Sequence, residues 1–327
     1  MKAFVLENGE LHLKNMDDPF ADHGQVRVAI RSAGLNRRDL SIPKRRGAEK
    51  DALILGSDGA GVIDSVGEGV SDFSVGDEVI INPALHWYDN SDAPPEGFDI
   101  LGMPDHGTFA EKIVLTAEQV EKKPKHLNWD EAGVLSLSAL TGFRALFTKG
   151  NVKEGDTVFI PGAGSGVATY LIQFAKNAGA NVIVTSRSPK KREQALELGA
   201  NSALDTNSDW QNELKGKTVD LVIESVGRAT FNRSLDVLKK GGRMVVFGAT
   251  TEDHVDLNLR EFFYGQYQLF GSTMGSRQEL RAMLDHVNKH NVQPVVDRAF
   301  TLDQAQQAMD HLAEGSQFGN VALRISE

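Results

Sequence analysis

The chain has 327 residues, of which 35 are basic and 45 acidic, with a formal net charge of −10 and no cysteine. That balance argues against general nucleic-acid or anionic-membrane binding, and the absence of thiols removes disulfides, thiolate chemistry and the usual soft ligands for zinc. The length allows two domains, and with neither a leader-like start at Met1 to Glu7 nor an apolar run near ~18 residues, a cytoplasmic location is expected.

In chain order, short strands are expected at Lys2 to Leu6, Leu11 to Lys14 and Gln25 to Arg31, where Val26, Val28 and Ile30 share a face. Gly34-Leu-Asn-Arg-Arg-Asp39 follows, and then a loop rich in cations: Arg37, Arg38, Lys44, Arg45, Arg46 and Lys50. Residues 53–82 read as strands broken by glycine, so the first part is β-rich and barrel-like. Residues 83–107 carry Pro83, Pro94, Pro95 and Pro104 and form a longer irregular loop than compact domains usually hold without a reason. Strand returns at Gly107 to Leu115, and the pattern turns helical from Asn128 to Phe147.

The stretch from Thr157 to Arg187 speaks most directly of chemistry. A buried strand, Thr157 to Ile160, stops at Pro161 and a turn containing Gly162, Gly164, Ser165, Gly166 and Val167. A helix follows, with Val167, Tyr170, Leu171, Phe174, Ala175 and Ala178 on one face, and then a second strand, Asn181 to Thr185. Strand, glycine turn, helix, strand is the unit that seats a dinucleotide pyrophosphate at a helix N-terminus, although the strict G-x-G-x-x-G spacing is not met. Where an NAD site usually places an acid, roughly 20 residues on, this chain has Ser186, Arg187, Lys190 and Lys191. Those groups suit a 2′-phosphate, so NADP(H) is the expected cofactor.

From Thr157 to Phe270 strands alternate with helices, at Val219 to Ser225, Thr230 to Leu238, Gly242 to Gly248 and Gln266 to Ser272, which predicts a doubly wound parallel sheet. The tail reads as helix at Arg277 to Lys289, strand at Asp297 to Phe300, helix at Leu302 to Ala313 and strand at Phe318 to Ile325.

Across almost its whole length the chain resembles the medium-chain dehydrogenase/reductase superfamily. The likeness rests on Gly34 to Asp39, Leu55-Gly-Ser-Asp-Gly-Ala-Gly-Val62, Val75 to Val79, Gly107 to Glu111, Leu140-Thr141, the Gly162 to Ala168 turn and Phe247 to Thr251, in that order. It implies an α/β fold, a Rossmann domain inserted in a GroES-like β-rich domain, with residues 1–128 forming the first part of the catalytic domain and 129–264 the NADP-binding domain. Residues 265–327 would supply the last Rossmann strand and complete the catalytic domain. Matching positions assign the nicotinamide to Thr141, Phe247, Gly248, Ala249, Thr250, Ser272, Thr273 and Met274. The three catalytic zinc ligands of the alcohol dehydrogenase branch fall on Asn36, Ser57 and Leu137, none a good zinc ligand. The cysteine lobe that holds a structural zinc would fall in residues 83–107. His86 and His106, with Asp89, Asp92 or Asp105, read as solvated loop groups, so no metal is expected.

The resemblance thus implies a zinc-free reductase of the quinone oxidoreductase or enoyl reductase kind, delivering hydride from NADPH to an activated C=C bond or a quinone. Candidate donors near the substrate are Asn36, Asp39, Asp58, Tyr88 and the nicotinamide ribose hydroxyl. Asn36 and Asp58 are assigned as catalytic; the plainer reading of Asn36 is a turn residue bonded to its own backbone, and that of Asp58 a carboxylate binding backbone amides. The basic loop either binds an anionic handle such as coenzyme A phosphates or is simply solvated. A metal-free alcohol or carbonyl oxidoreductase and a non-catalytic NADPH-binding protein are the alternatives. A small-molecule substrate and a homodimer through the edge strand of the Rossmann sheet complete the expectation.

Overall fold

The structure, a computed structural model, describes residues 1–326. The chain divides into two compact units, one of Met1–Leu140 together with the segment from Gly275, the other of Thr141–Met274.

The first unit is built on the strand Gln25–Leu35, whose Val26, Val28 and Ile30 are buried in alternation. One edge pairs antiparallel with Asp58–Val66. The other edge is shared: Lys112–Thr116 pairs with residues 25–29 and Asn320–Arg324 with residues 32–35. The end of the chain therefore completes a sheet of seven strands begun by its first third. A sheet of three places Lys2–Glu7 between Glu10–Asn15 and Leu53–Ile54. Phe4, Ile30, Ile63, Phe109, Met309 and Leu323 belong to one apolar core.

Two expectations change here. The cation-rich loop is in fact a helix, Arg37–Arg46, begun by the Asp39 carboxylate accepting the Asn36 N–H and ended by Lys44, Arg45 and Arg46, whose charge suits the helix C-terminus. Its internal Pro43 and dense charge hide it from periodicity. The unit boundaries fall after Leu140 and Met274 rather than after 128 and 264. The reason for the first is contact: a Cβ on Gly34 would lie 2.8 Å from Gly133 O, so helix Trp129–Gly133 rests backbone to backbone on the first unit's central strand.

Residues 83–107 form a folded lobe rather than loose chain. Ala84–Leu85 pairs with Asp99–Ile100, Trp87 is buried, and the carbonyls of Trp87 and Tyr88 accept the N–H groups of Arg277 and Gln278. Those N–H groups open the helix Arg277–His290 and have no acceptor within it.

The second unit is a six-stranded parallel sheet in the order Ser202–Asp205, Asn181–Ser186, Thr157–Pro161, Val219–Glu224, Leu238–Val246, Gln268–Gly271. Strand order reverses between Thr157–Pro161 and Val219–Glu224, the switch point at which such sheets bind ligands. Helix Pro189–Leu198 escapes the sequence pattern because only Ala195 in it is buried. Among the described residues no helix is long and apolar enough to cross a membrane.

The close pairing of Gln25–Leu35 with Asp58–Val66 is testable at Gly61, where a Cβ would lie 2.1 Å from Ala29 O. Gly61→Ala should lower stability by ~1–3 kcal/mol, read as a reduced urea midpoint with unchanged slope. An unchanged midpoint would contradict this register.

Candidate active site

In the first unit Asn36, Asp58 and Ser138 are linked by hydrogen bonds to one another and to the Leu137 main chain. Asn36 stands at the N-cap of Arg37–Arg46 and is 7% exposed; Asp58, 1% exposed, begins the strand Asp58–Val66. Asn36 Nδ2 donates to Asp58 Oδ2 at 2.9 Å, and the Leu137 backbone N–H donates to Asp58 Oδ1 at 2.6 Å. Ser138 Oγ donates to Asn36 Oδ1 at 3.4 Å. Ser57 is not bonded to Asn36 or Asp58: its hydroxyl donates to Leu101 O at 2.7 Å and accepts from Arg38 Nη1 at 2.5 Å.

Burial governs the acids here. It pushes the Asp58 carboxyl up to about 7, opposed by the donors Asn36 and Leu137. Asp39 is raised to about 6 by the same cause; its Oδ2 accepts the Asn36 N–H at 2.7 Å, while its buried Oδ1 has no partner among the described residues. Among the described residues no group of three or more His, Asp or Glu is placed to hold a metal ion. Tyr88, His86 and His106 line a separate cavity of about 390 Å³ with Leu85 and Leu101, and Asn36 and Asp58 are not part of its wall.

In the second unit the predicted cofactor residues collect beyond the C-terminal ends of parallel strands. Gly162, Gly164, Ser165, Gly166 and Val167 follow Thr157–Pro161; Ser186 ends Asn181–Ser186 and Arg187 comes next. Phe247, Gly248, Ala249 and Thr250 follow Leu238–Val246, and Ser272, Thr273 and Met274 follow Gln268–Gly271. Gly162 has φ +80, a conformation that favours glycine, and a Cβ there would lie 3.1 Å from Val226 Cγ2. A Cβ on Gly164 would meet the Lys191 side chain, 2.7 Å from Cδ and 3.0 Å from Nζ, so a cation lies over the turn. Ser165 caps the helix Gly166–Asn177 by accepting the Ala168 N–H. Arg187 is exposed and makes no hydrogen bond or ion pair among the described residues, and Ser272 Oγ is buried without a partner among them. Thr141 lies on the helix Ser136–Phe143, whose Gly142 is within ordinary contact of Val167 and Leu171. A glycine cradle, a capped helix start, a cation over it and a second exposed cation at the next strand end fit a phosphorylated dinucleotide.

Sequence reasoning missed Glu224. Fully buried at the end of Val219–Glu224, it accepts N–H bonds from Val226 (2.7 Å) and Gly227 (3.2 Å) and hydroxyl bonds from Thr230 and Ser234. Burial raises its pKa against those donors. It fixes the loop whose Val226 packs against Gly162. An acid ending a strand whose central residues, Leu221 to Ile223, are all apolar was the available signal.

Two family descriptions match the chain: an alcohol dehydrogenase GroES-like domain over residues 22–125 and a zinc-binding dehydrogenase domain over residues 166–289. A zinc-type alcohol dehydrogenase-like protein of Schizosaccharomyces pombe is 34% identical, covering 92% of this chain and 91% of that protein. A crotonyl-CoA carboxylase/reductase of Cereibacter sphaeroides is 28% identical over 89% of this chain and 77% of its own length. Among solved structures, an NAD-dependent alcohol dehydrogenase superposes with a TM-score of 0.92 at 33% identity, covering 100% of both chains. The 2-octenoyl-CoA carboxylase reductase CinF, solved with NADP and 2-octenoyl-CoA, superposes at 0.87 and 25% identity over 99% of this chain and 87% of that one. The chain belongs to the zinc-type alcohol dehydrogenase-like proteins of the medium-chain dehydrogenase/reductase superfamily, with its GroES-like and Rossmann domains.

The Asp58 carboxyl generates a pH prediction. Its folded value, about 7, lies above the ordinary value of 3.8, so between about pH 4 and pH 7 the folded state holds a proton that the unfolded state has lost. Stability therefore falls as pH rises through that window, by on the order of 3–4 kcal/mol from this group if the whole shift is expressed. Urea titrations from pH 4 to pH 8 should show a shallower fall in Asp58→Asn than in the wild type. Parallel curves would contradict the buried carboxyl.

Proposed function

We propose that the chain is a zinc-independent, NADPH-dependent reductase that passes hydride to an activated C=C bond, in a 2-enone or enoyl thioester, or to a quinone. The observation that carries this reading is how the former ligand positions are used. The Asn36 amide and the Leu137 N–H are bonded to Asp58, and Ser57 accepts from a guanidinium, whose charge opposes a dication beside it. Without a Lewis acid, simple alcohol oxidation loses its activation, whereas an activated alkene needs only a donor to the oxygen that becomes an enolate.

Bound NADPH would supply the hydride. The glycine turn with Lys191 would take the pyrophosphate, Ser186 and Arg187 the 2′-phosphate, and Thr141, Phe247 to Thr250 and Ser272 to Met274 the nicotinamide. Asn36 would orient the acceptor, held in its rotamer by Asp58. The enoyl-CoA substrates in the names of the carboxylase/reductase relatives support this reading. Carbonyl reduction without metal is the second reading, favoured by the alcohol dehydrogenase likeness at higher identity.

We further assign a cytoplasmic homodimer. Gln268–Gly271 is an edge strand, and Leu259, Phe263, Tyr264 and Leu269 are exposed on it and on the helix before it. A monomeric mass in sedimentation would remove the dimer.

Two measurements test the proposal. Metal-free protein should consume NADPH with quinones, 2-enones or 2-enoyl-CoAs well ahead of aldehydes; comparable aldehyde reduction would favour the second reading. Arg187→Ala should weaken NADPH binding ~10–100-fold, the worth of a charge-assisted hydrogen bond, while NADH binding stays within about twofold by fluorescence titration. Equal loss for both nucleotides would overturn the 2′-phosphate assignment.

A further inference from the structure

The glycine turn and the segment after Leu238–Val246 are far apart in sequence, and one carboxyl ties both to the same loop. Glu224 Oε1 accepts the Val226 N–H at 2.7 Å and the Gly227 N–H at 3.2 Å. Thr230 Oγ1 donates to both carboxyl oxygens at 2.9 Å, and Ser234 Oγ donates to Oε2 at 3.0 Å. Glu224 is fully buried, so these bonds are made away from water, where each is stronger and an unmade one costs more.

The loop so held touches two parts of the cofactor region. On one side, a Cβ on Gly162 would lie 3.1 Å from Val226 Cγ2, so Val226 bounds the start of the glycine turn. On the other, residues 225–228 run beside residues 250–252. The Thr250 N–H donates to Ser225 O at 3.2 Å, the Thr251 N–H to Val226 O at 2.8 Å and the Arg228 N–H to Glu252 O at 3.1 Å. Thr251 Oγ1 adds a second bond to Val226 O at 2.7 Å. Phe247 to Thr250 are therefore pinned at both ends, by the Phe247 N–H on Glu224 O at 3.1 Å and by this zipper.

Sheet order says which part of a cofactor is concerned. Asn181–Ser186, which leads to Arg187, lies on one side of Thr157–Pro161; Val219–Glu224 and Leu238–Val246 lie on the other. A dinucleotide crosses such a sheet at its switch point. With the pyrophosphate at the turn and the 2′-phosphate at Arg187, the nicotinamide end passes over the loop that Glu224 holds. The carboxyl itself bonds to none of residues 185–192 among the described residues.

We propose that Glu224 is a positioning residue for the nicotinamide half of bound NADPH. It sets the Gly162 end of the turn through Val226 and residues 247–250 through the 225–228 backbone, and leaves the adenosine half to other groups. The assignment rests on the cofactor placement given above. What the position needs is an acceptor. The Val226 and Gly227 N–H groups must be matched, whereas the Thr230 and Ser234 hydroxyls can turn and accept instead of donate. Glutamine satisfies all four, its oxygen toward the N–H pair and its NH₂ toward the hydroxyls. Methionine, of similar length, leaves both N–H groups buried and unmatched.

The test titrates wild type, E224M and E224Q with NADPH, followed by dihydronicotinamide fluorescence, and with adenosine 2′,5′-bisphosphate, the adenosine half alone, followed by calorimetry. E224M should bind NADPH ~10-fold more weakly, with the emission maximum of the bound cofactor moved back toward that of free NADPH. Its affinity for the bisphosphate should stay within about twofold, and E224Q should recover most of the NADPH affinity. A general loosening of the unit would weaken both ligands alike, so equal loss overturns the proposal, as does unchanged NADPH affinity in a folded E224M. If E224M does not fold, T251V decides, since it keeps the carboxyl and removes the hydroxyl bond to Val226 O. Loss of NADPH affinity with the bisphosphate unaffected supports the proposal there, and wild-type affinity for NADPH overturns it. A wild type that binds the bisphosphate no better than adenosine 5′-monophosphate sinks the 2′-phosphate placement and this assignment with it. A wild type that prefers the bisphosphate, with an indifferent E224M, sinks only the assignment.

Discussion

Two N–H bonds to one buried carboxyl hold the first unit's site in shape. Asp58 accepts from the Asn36 amide, 22 residues upstream, and from the Leu137 main chain, 79 residues downstream, and so joins the strand Asp58–Val66 to two separate helix starts. A buried acceptor left unmatched costs ~1–3 kcal/mol, so neither donor can leave without loss. The same carboxyl resists ionisation because burial outweighs its two donors. Its geometry therefore fixes the Asn36 amide, while its charge state depends on pH near neutrality.

The second unit repeats the device. Glu224 has no solvent exposure and gathers the Val226 and Gly227 N–H groups with the Thr230 and Ser234 hydroxyls. That set of donors stiffens the loop beside Gly162, and a stiff loop is what a glycine turn needs if its backbone is to approach a ligand closely. In both units the side chains proposed for chemistry sit on scaffolds fixed by buried carboxyls.

The glycine turn was legible because strand, turn, helix and strand are local: each boundary from Thr157 to Ser186 is signalled within a few residues. The parallel sheet and the completion of the first unit by the tail followed from pattern and resemblance. Helix Arg37–Arg46 was not legible, since Pro43 and six neighbouring charges obscure a helix with only Asp39 and Ile42 buried. Asp58 was named, but its partners were not, because the pairing depends on chain segments brought together by the fold. Arg38 looked like one cation among several; its inward turn appears only when residues 100 and 101 lie on residue 57. Arg46, by contrast, is spent on the carbonyls of Leu6 and Asp51, which removes it from any anion site formed by the basic segment.

The electrostatics of the first unit bear on which acceptors suit it. A zinc ion brings two charges to an oxygen at coordination distance and favours alkoxide formation outright. A guanidinium brings one delocalised charge through hydrogen bonds, and two buried carboxyls nearby offset part of it whenever they ionise. Asp39 and Asp58, raised to about 6 and about 7, spend part of the neutral range protonated, and that limits the offset. Such a site stabilises a spread charge better than a concentrated one. An enolate or a hydroquinone anion spreads its charge over carbon and oxygen or around a ring, and a simple alkoxide does not. The proposed function therefore looks to acceptors whose developing charge is spread, conjugated alkenes and quinones, rather than to isolated carbonyls.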